Sequence, residues 1–274
     1  MKNIDLKTVE SFGDEWTRFD QSIVSLDELK NIFEDYFHIF PWSLLNNEAE
    51  GFDMGCGTGR WAYFVAPKVA KLNCIDPSVA LDIARNKLDK YDNVIYLRSS
   101  VEDCSLIEAS QDFGYSLGVL HHIPDTFKAI ESCAKLLKKG APFLLYLYYA
   151  FDNRPLWYQA IWRLSDFIRA IIYRLPPVLK NFFTDFIALV VYWPLAKLSY
   201  VFDLCRLNVD LMPLSYYKKS SFYTMRTDSR DRFGTPLEQR FTKKQIESML
   251  RAAGFTDIKF SSKAPYWCAV GIKS

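Results

Sequence analysis

The stretch GFDMGCGTGRW, residues 51–61, constrains this chain more than any other segment. Gly55, Gly57 and Gly59 alternate directly after a short apolar run that reads as a strand. Glycine admits positive φ and lets a ligand approach the backbone with no Cβ in the way. A strand that ends in such a loop and leads into a helix can cradle a phosphate, a dinucleotide or a nucleoside. The end of the loop removes the first option. A Walker-type loop closes with Gly-Lys-Ser/Thr, whereas this one closes with Gly59-Arg60-Trp61.

The dinucleotide fingerprint is G-x-G-x-x-G; the spacing here is G-x-G-x-G, one residue tighter. Asp53 lies two residues before the first glycine. A carboxylate there repels a pyrophosphate and suits a cationic ligand such as an amino acid or a sulfonium. The next strand ends in CIDPS, with Asp76 seventeen residues after Gly59. An acid at the tip of the second strand is placed to accept both hydroxyls of a ribose. Bare backbone, a nearby acid and a ribose clamp together point to an S-adenosyl nucleoside.

Strand and helix patterns alternate from residue 46 to 150. Short apolar runs at Gly51–Met54, KLNCID, NVIYLR, FGYSLGVL and APFLLYLYY read as strands. Helices are expected at Thr58–Val69, at Pro77–Leu88 and over PDTFKAIESCAKLL, after an earlier amphipathic helix that opens with a Ser25/Glu28 capping box and ends near Pro41. Alternation of this kind predicts an α/β fold with a mostly parallel, doubly wound sheet. The rhythm breaks after Ala150 and returns at FTKKQIESMLRAAGF, with a Thr242/Gln245 capping box and Gly254 at the helix end, followed by two closing strands. The expected organisation is an N-terminal helical lid segment over 1–45, a core over 46–150 and 241–274, and a helical, aromatic-rich insertion over 151–240.

FDMGCGTGRW, CIDPS and SLGVLHHIPD resemble three successive motifs of the class I S-adenosylmethionine (SAM)-dependent methyltransferases, with motifs of the ubiquinone-biosynthesis type. LKKGAPFLLYLY resembles the strand that follows them. The resemblance covers about half the chain. It implies a Rossmann-like sheet of seven strands with an antiparallel last strand, and SAM as cofactor at its carboxyl edge, with S-adenosylhomocysteine as product. It implies that Asp53 bears on the methionine amino group, that the loop Gly55, Cys56, Gly57 and Gly59 passes under the nucleoside, and that Asp76, followed by Pro77, holds the ribose. Val101 and Glu102 would lie near the adenine, and Leu117 and Gly118 along the methionine portion. The family often carries an acid where Ser100 stands, so the match is weakest there.

Other residues admit more than one use. Asp76 can also cap the helix after Pro77. Cys56 reads as a small loop filler; the six cysteines form no CxxC pair, so reduced thiols and no metal site are expected. His121 and His122 stand where a substrate would enter, and imidazole is the usual general base. Packing or substrate positioning is the favoured reading of this pair, with His121 kept as a catalytic candidate. SFGDEWTRFD is read as a lid that brings Trp16 to the cofactor and excludes water.

Residues 151–240 carry thirteen lysines and arginines against eight acids, a net of +5 within a chain of +2. PLWYQAIWRLSDFIRAIIYRL places apolar residues on a helical face. The longest uncharged run, Phe186 to Ala196, is short of the roughly 20 residues needed to span a bilayer, and Pro194 interrupts it, so no transmembrane helix is expected. The insertion is expected to serve as a cap, a homodimer interface, or a peripheral membrane contact or lipid-like acceptor site over 155–213. Within it, Tyr223 and Asp231 are candidates for orienting an acceptor hydroxyl. The N-terminus carries no apolar signal core, so a cytoplasmic location is expected, peripheral to the membrane if 155–213 docks there. The expected function is methyl transfer to an O, N or C nucleophile of a small or lipid-linked molecule, of bacterial natural-product, quinone or surface-glycan type. Methylation of a tRNA wobble base is an alternative that the near-neutral charge disfavours, and a non-catalytic SAM- or S-adenosylhomocysteine-binding partner protein is another.

Overall fold

The structure, a computed structural model, describes residues 2–274. Along the chain run α1 (Leu6–Arg18), α2 (Leu26–Phe37), β1 (Glu50–Met54), α3 (Ala62–Val65), β2 (Lys71–Ile75), α4 (Ala80–Lys87), β3 (Val94–Leu97), β4 (Phe113–Leu117), α5 (Thr126–Leu136) and β5 (Pro142–Tyr146). They are followed by α6 (Leu156–Ile172), α7 (Pro177–Ile187), α8 (Trp193–Leu204) and α9 (Phe222–Gly234), then α10 (Lys243–Ala252), β6 (Phe255–Phe260) and β7 (Cys268–Lys273). Two compact units result. One holds residues 2–21, Leu29–Ala150 and Leu237–Ser274, and the other holds Ser22–Glu28 and Phe151–Pro236.

The first unit is built on one sheet of seven strands in the order β3-β2-β1-β4-β5-β7-β6. β1 to β5 pair in parallel, and β7 runs antiparallel to both β5 and β6. This is the Rossmann-like, doubly wound sheet with an antiparallel last strand that the sequence predicts. β1, β2, β4 and β5 are almost wholly buried. Strands covered on both faces need no polar side, which is why their sequences read as apolar runs. Phe37, Trp61, Val65, Leu81 and Tyr115 fill one face. Phe52, Met54, Ile130, Phe143 and Phe255 fill the other. The strand order reverses between β1 and β4, and ligands of such sheets bind outside the carboxyl ends at that reversal.

β1 and β4 meet there through a glycine–phenylalanine exchange. Gly51 is in register with Phe113, and Phe52 with Gly114. A Cβ on Gly51 would stand 2.3 Å from the Phe113 ring, and one on Gly114 would stand 2.3 Å from the Phe52 ring. Each ring occupies the space its neighbour's missing side chain leaves.

Several boundaries differ from the sequence expectation. The helix expected from Thr58 begins only at Ala62 and tightens into a 3-10 turn at Ala66–Lys68, where Pro67 has no N–H to give. The helix expected from Pro77 begins at Ala80, because the Asp76 carboxylate holds Ser78 in a turn. The Thr242/Gln245 capping box forms in full, and Gly254 follows the helix end at φ +86°. The Ser25/Glu28 box forms by half. Glu28 N donates to Ser25 Oγ at 3.2 Å, but its carboxylate instead accepts from Ser221 N at 2.9 Å and Thr224 Oγ1 at 2.7 Å, at the start of α9. That bond draws residues 22–28 into the second unit, so 1–45 is not one segment. The second unit ends at Pro236 rather than 240, because Gln239 N donates to the His121 carbonyl at 3.1 Å and Phe241 N to the Tyr148 carbonyl at 2.8 Å.

In the second unit, α7 and α8 are joined by a π-helical segment, Ala188–Tyr192. They form one continuous helix of 28 residues, Pro177–Leu204. Pro194, expected to interrupt it, falls in the first turn of α8 directly after the π turn. A proline is tolerated where the helical ladder is already relaxed. By length and composition this helix meets the requirement for crossing a bilayer, which the sequence reading did not anticipate.

The glycine–phenylalanine exchange sets a stability test. Gly114→Ala forces the fully buried Phe52 ring from its place. The expected cost is about 1–3 kcal/mol, the usual range for overpacking a core, read as a lower urea midpoint with an unchanged slope.

Candidate functional site

At the carboxyl ends of β1 and β2 the chain ties itself into a knot of short hydrogen bonds. Gly55 N and Cys56 N both donate to the Ile75 carbonyl, at 2.8 and 3.0 Å. Gly57 N donates to Asp76 Oδ2 at 2.9 Å. Gly59 N turns back to the Cys56 carbonyl at 2.9 Å. Gly55, Gly57 and Gly59 have φ of +79°, +52° and +71°, a region that L side chains rarely adopt. At Gly55 the space is also filled, since a Cβ would stand 2.4 Å from Val119 Cγ1. Four loop amides are therefore spent inside the protein. A phosphate cradle needs such amides aimed outward, so this loop offers bare backbone rather than an anion nest.

Two carboxylates flank the loop. Asp76 is buried, and its Oδ1 accepts from Ser78 N at 2.8 Å and Ser78 Oγ at 2.6 Å. The helix-capping and loop-holding uses of Asp76 are thus both visible, and Pro77 sits in the turn between them. Asp53 is in register with Tyr115 of β4 and is 1% exposed. Neither carboxylate oxygen meets full hydrogen-bond geometry, with the Tyr115 hydroxyl as its nearby polar neighbour. Burial pushes its pKa up to about 8, helped by the Asp76 charge and opposed by Tyr115 and Arg60. A buried acid is costly when ionised, and a cation bound beside it would relieve that cost. Cys56 is a buried filler whose thiol burial pushes well up.

The end of β4 reaches the same place. Gly118 has φ +78° and donates its N–H to the Tyr146 carbonyl at 3.0 Å. Leu117 is buried, and Ser116 Oγ donates to the Met54 carbonyl at 2.8 Å, which fixes β4 against β1. α1 comes to the loop from the N-terminal side. Trp16 Nε1 lies 3.5 Å from where a Gly57 Cβ would stand. Arg60 stacks on Trp16 at 5.3 Å and on Trp61 at 4.4 Å, measured to the ring centroids. Sequence reading placed Trp16 here but missed Arg60 and Val119. The GRW triplet carries the only sequence signal for Arg60, and Val119 has none.

Other candidates stand differently. Val101 is buried in the core beside the sheet. Glu102, expected near an adenine, pairs with Lys128 and accepts from Asn3 N at 2.9 Å, so it anchors the N-terminal segment. His121, a candidate base, is fully buried, and neither ring nitrogen has a hydrogen-bond partner. Its ring centroid lies 3.9 Å from those of both Tyr148 and His122. Burial, with His122 and Arg240 nearby, holds its pKa well below the usual imidazole value. The ring is thus held neutral and packed between Tyr148 and His122. His122 Nδ1–H donates to the Leu237 carbonyl at 2.6 Å, and Phe12 meets its ring edge-on at 4.8 Å. Tyr223 and Asp231 lie on α9 of the second unit, where Asp231 accepts from Thr235 Oγ1 at 3.3 Å. The site built by the first unit includes neither.

The geometry of Asp53 sets a pH test. Its pKa is raised on folding, so between about pH 4 and 8 the native state holds a proton that the unfolded chain has lost. Its contribution then falls as pH rises, by up to about 1.4 kcal/mol per pH unit, and levels off above pH 8. Asp53→Asn removes this slope. Urea midpoints at pH 5 and pH 8, without ligand, are expected to separate wild type and variant more at pH 8.

Known proteins resemble this chain over the same region. A family model described as a methyltransferase domain matches residues 52–145. A ubiquinone biosynthesis O-methyltransferase of Vibrio vulnificus is 27% identical over 145 residues, 51% of this chain and 61% of the relative. The protein of the same name from Hahella chejuensis is 30% identical over 147 residues, 52% of this chain and 60% of the relative. The match thus spans about three fifths of these relatives' length. A Thermotoga maritima structure, described as a SAM-dependent methyltransferase and possible histamine N-methyltransferase, superposes with a TM-score of 0.52 at 14% identity. It covers 97% of this chain and 100% of that one, which shows the shared fold. Residues 52–145 thus match a methyltransferase domain, set in a fold shared with a SAM-dependent methyltransferase structure.

Proposed function

We propose that this protein transfers a methyl group from SAM to a nucleophile of a small or lipid-linked molecule. The observation that carries the reading is the spent loop beside a buried acid: the amides of Gly55, Cys56, Gly57 and Gly59 are used internally, while neither oxygen of buried Asp53 meets full hydrogen-bond geometry. That combination suits a cationic nucleoside and does not suit a pyrophosphate. The residues that would hold SAM are the glycine loop, Asp53, Asp76, Leu117 and Gly118, with Trp16 at the loop. SAM supplies an electrophilic methyl on a sulfonium. The chain's task is to align acceptor and donor, and positioning alone supplies much of the acceleration in such displacements. No general base is demanded unless the acceptor is a neutral hydroxyl.

The relatives named for O-methylation in ubiquinone biosynthesis favour an oxygen nucleophile on a quinone-like or otherwise lipid-linked acceptor. Two other readings remain distinct in their consequences. A tRNA methyltransferase would bind RNA with a steep salt dependence, and a non-catalytic partner would bind SAM without turnover.

Calorimetric titration tests the proposal. SAM and S-adenosylhomocysteine are expected to bind and NAD is not. Asp76→Ala, which frees both Gly57 and Ser78, is expected to weaken binding by about tenfold or more, equivalent to about 1.4 kcal/mol. A folded wild type that binds neither ligand, with or without candidate acceptors, overturns it.

A further inference from the structure

The second unit holds a small core of Ile172, Tyr192, Ala196, Met225 and Phe233 and leaves far more apolar surface outside it. The helix Pro177–Leu204 buries Lys180, Thr184, Ala188, Tyr192, Ala196 and Ser199. These recur every three or four residues and so share one face. That face packs on α9: Ser229 Oγ donates to the Thr184 carbonyl at 2.8 Å, Arg230 Nε to Asn181 Oδ1 at 3.2 Å, and Arg226 pairs with Asp185 at 2.8 Å. The outer face carries Phe182, Phe186, Leu189, Val190, Trp193 and Val201, all exposed. Only 22% of the helix's most apolar 18-residue window is buried. α6 repeats the arrangement: Ile172 is its only buried residue, and Trp157, Leu164 and Phe167 face outward. α9 is more polar, burying Thr224, Thr227, Ser229 and Arg230 together with Met225 and Phe233. A helix on a water-exposed surface turns its apolar stripe inward. Here α6 and the long helix turn most of their apolar side chains outward while packing on α9, which is far from the scattered exposure of an ordinary surface.

We propose that this face docks on an anionic lipid bilayer, lying in the interface rather than crossing it. The inference goes beyond methyl transfer and does not depend on it. Charge selects the occupant. The three carboxylates on α6, α7 and α8 are each held in an ion pair: Asp166 with Arg169 and Arg232, Asp185 with Arg226, Asp203 with Lys218. Arg163 and Lys197 on the same helices, and Arg174 and Arg206 just beyond α6 and α8, stay exposed. The outer surface is therefore apolar with basic groups, the composition that anionic headgroups attract. In a two-fold dimer the same basic surface would meet itself. Exposed Trp157, Trp193 and Tyr200 are of the type that settles at the headgroup level. Crossing the bilayer is disfavoured by α9, since Arg226, Arg230 and Arg232 would accompany the long helix into hydrocarbon. An interfacial helix sinks only about 5–10 Å, which leaves α9 behind it on the protein side.

Flotation of the full chain tests this, with vesicles of phosphatidylcholine alone and of phosphatidylcholine with phosphatidylglycerol. The chain is expected to float with the anionic vesicles, less with the neutral ones, and less as salt is raised. Phe186→Glu combined with Leu189→Glu is expected to reduce recovery about tenfold or more, with circular dichroism and S-adenosylhomocysteine binding unchanged. Both positions are exposed, so folding is not at stake; Arg163→Glu, a surface charge reversal, serves as an independent variant with a smaller expected loss. Three results overturn the proposal: no flotation with anionic vesicles, undiminished flotation of the double variant, or a dimer in buffer that the double variant splits while vesicles recruit nothing. The ligand titration is read on the same samples, so a failed methyltransferase reading and a failed membrane reading are told apart.

Discussion

Everything in the first unit's functional edge hangs on one set of backbone bonds, those from Gly55, Cys56 and Gly57 to the end of β2. They pull the glycine loop across the carboxyl ends of two strands and hold it there before any ligand arrives. The geometry works only with positive φ at three alternating residues and no Cβ at Gly55 against Val119. Because the amides are already spent, the loop's chemistry is subtractive. It removes side chains and anion donors beside two buried acids. A backbone N–H that already has a good acceptor has little to offer a second.

The sheet supplies the rigidity this loop needs. Where the strand order reverses, Phe52 and Phe113 each fill the space over the other strand's glycine. β1 and β4 can then pack closely while each carries a large ring. The same register sets Asp53 beside Tyr115, inside the core and next to the loop. A carboxylate kept dry in this way is poised for a cation, and the uncompensated burial is a cost that the well-packed sheet can carry. α1 completes the edge by bringing Trp16 to Gly57 and stacking Arg60 between two indoles.

The second unit follows a different rule. Its core is a small apolar cluster with polar contacts from α9, and most of its apolar side chains lie outside it. Docked on a lipid surface, the same arrangement satisfies both sides: α9 keeps its ion pairs, and the aromatic face of Pro177–Leu204 leaves water. An enzyme held at a bilayer meets lipid-linked acceptors in two dimensions, which gives the acceptor class favoured under methyl transfer a physical route to the chain.

The sequence by itself determined the α/β core, the order of its strands and helices, the glycine loop with its two acids, and the boundary at Ala150. These are set by local rules: positive φ belongs to glycine, buried parallel strands are apolar throughout, and caps mark helix ends. Only the tertiary structure decided what each side chain does. It packed His121 between two rings. It turned Glu102 to Lys128 and Asn3, and it drew the Glu28 carboxylate away from its own cap to α9. It also carried one helix straight past Pro194, because a π turn absorbs what the proline displaces. The limit is clearest on Pro177–Leu204. Helical spacing tells which residues share a face, but not which face meets solvent, because that depends on what the rest of the chain places against it.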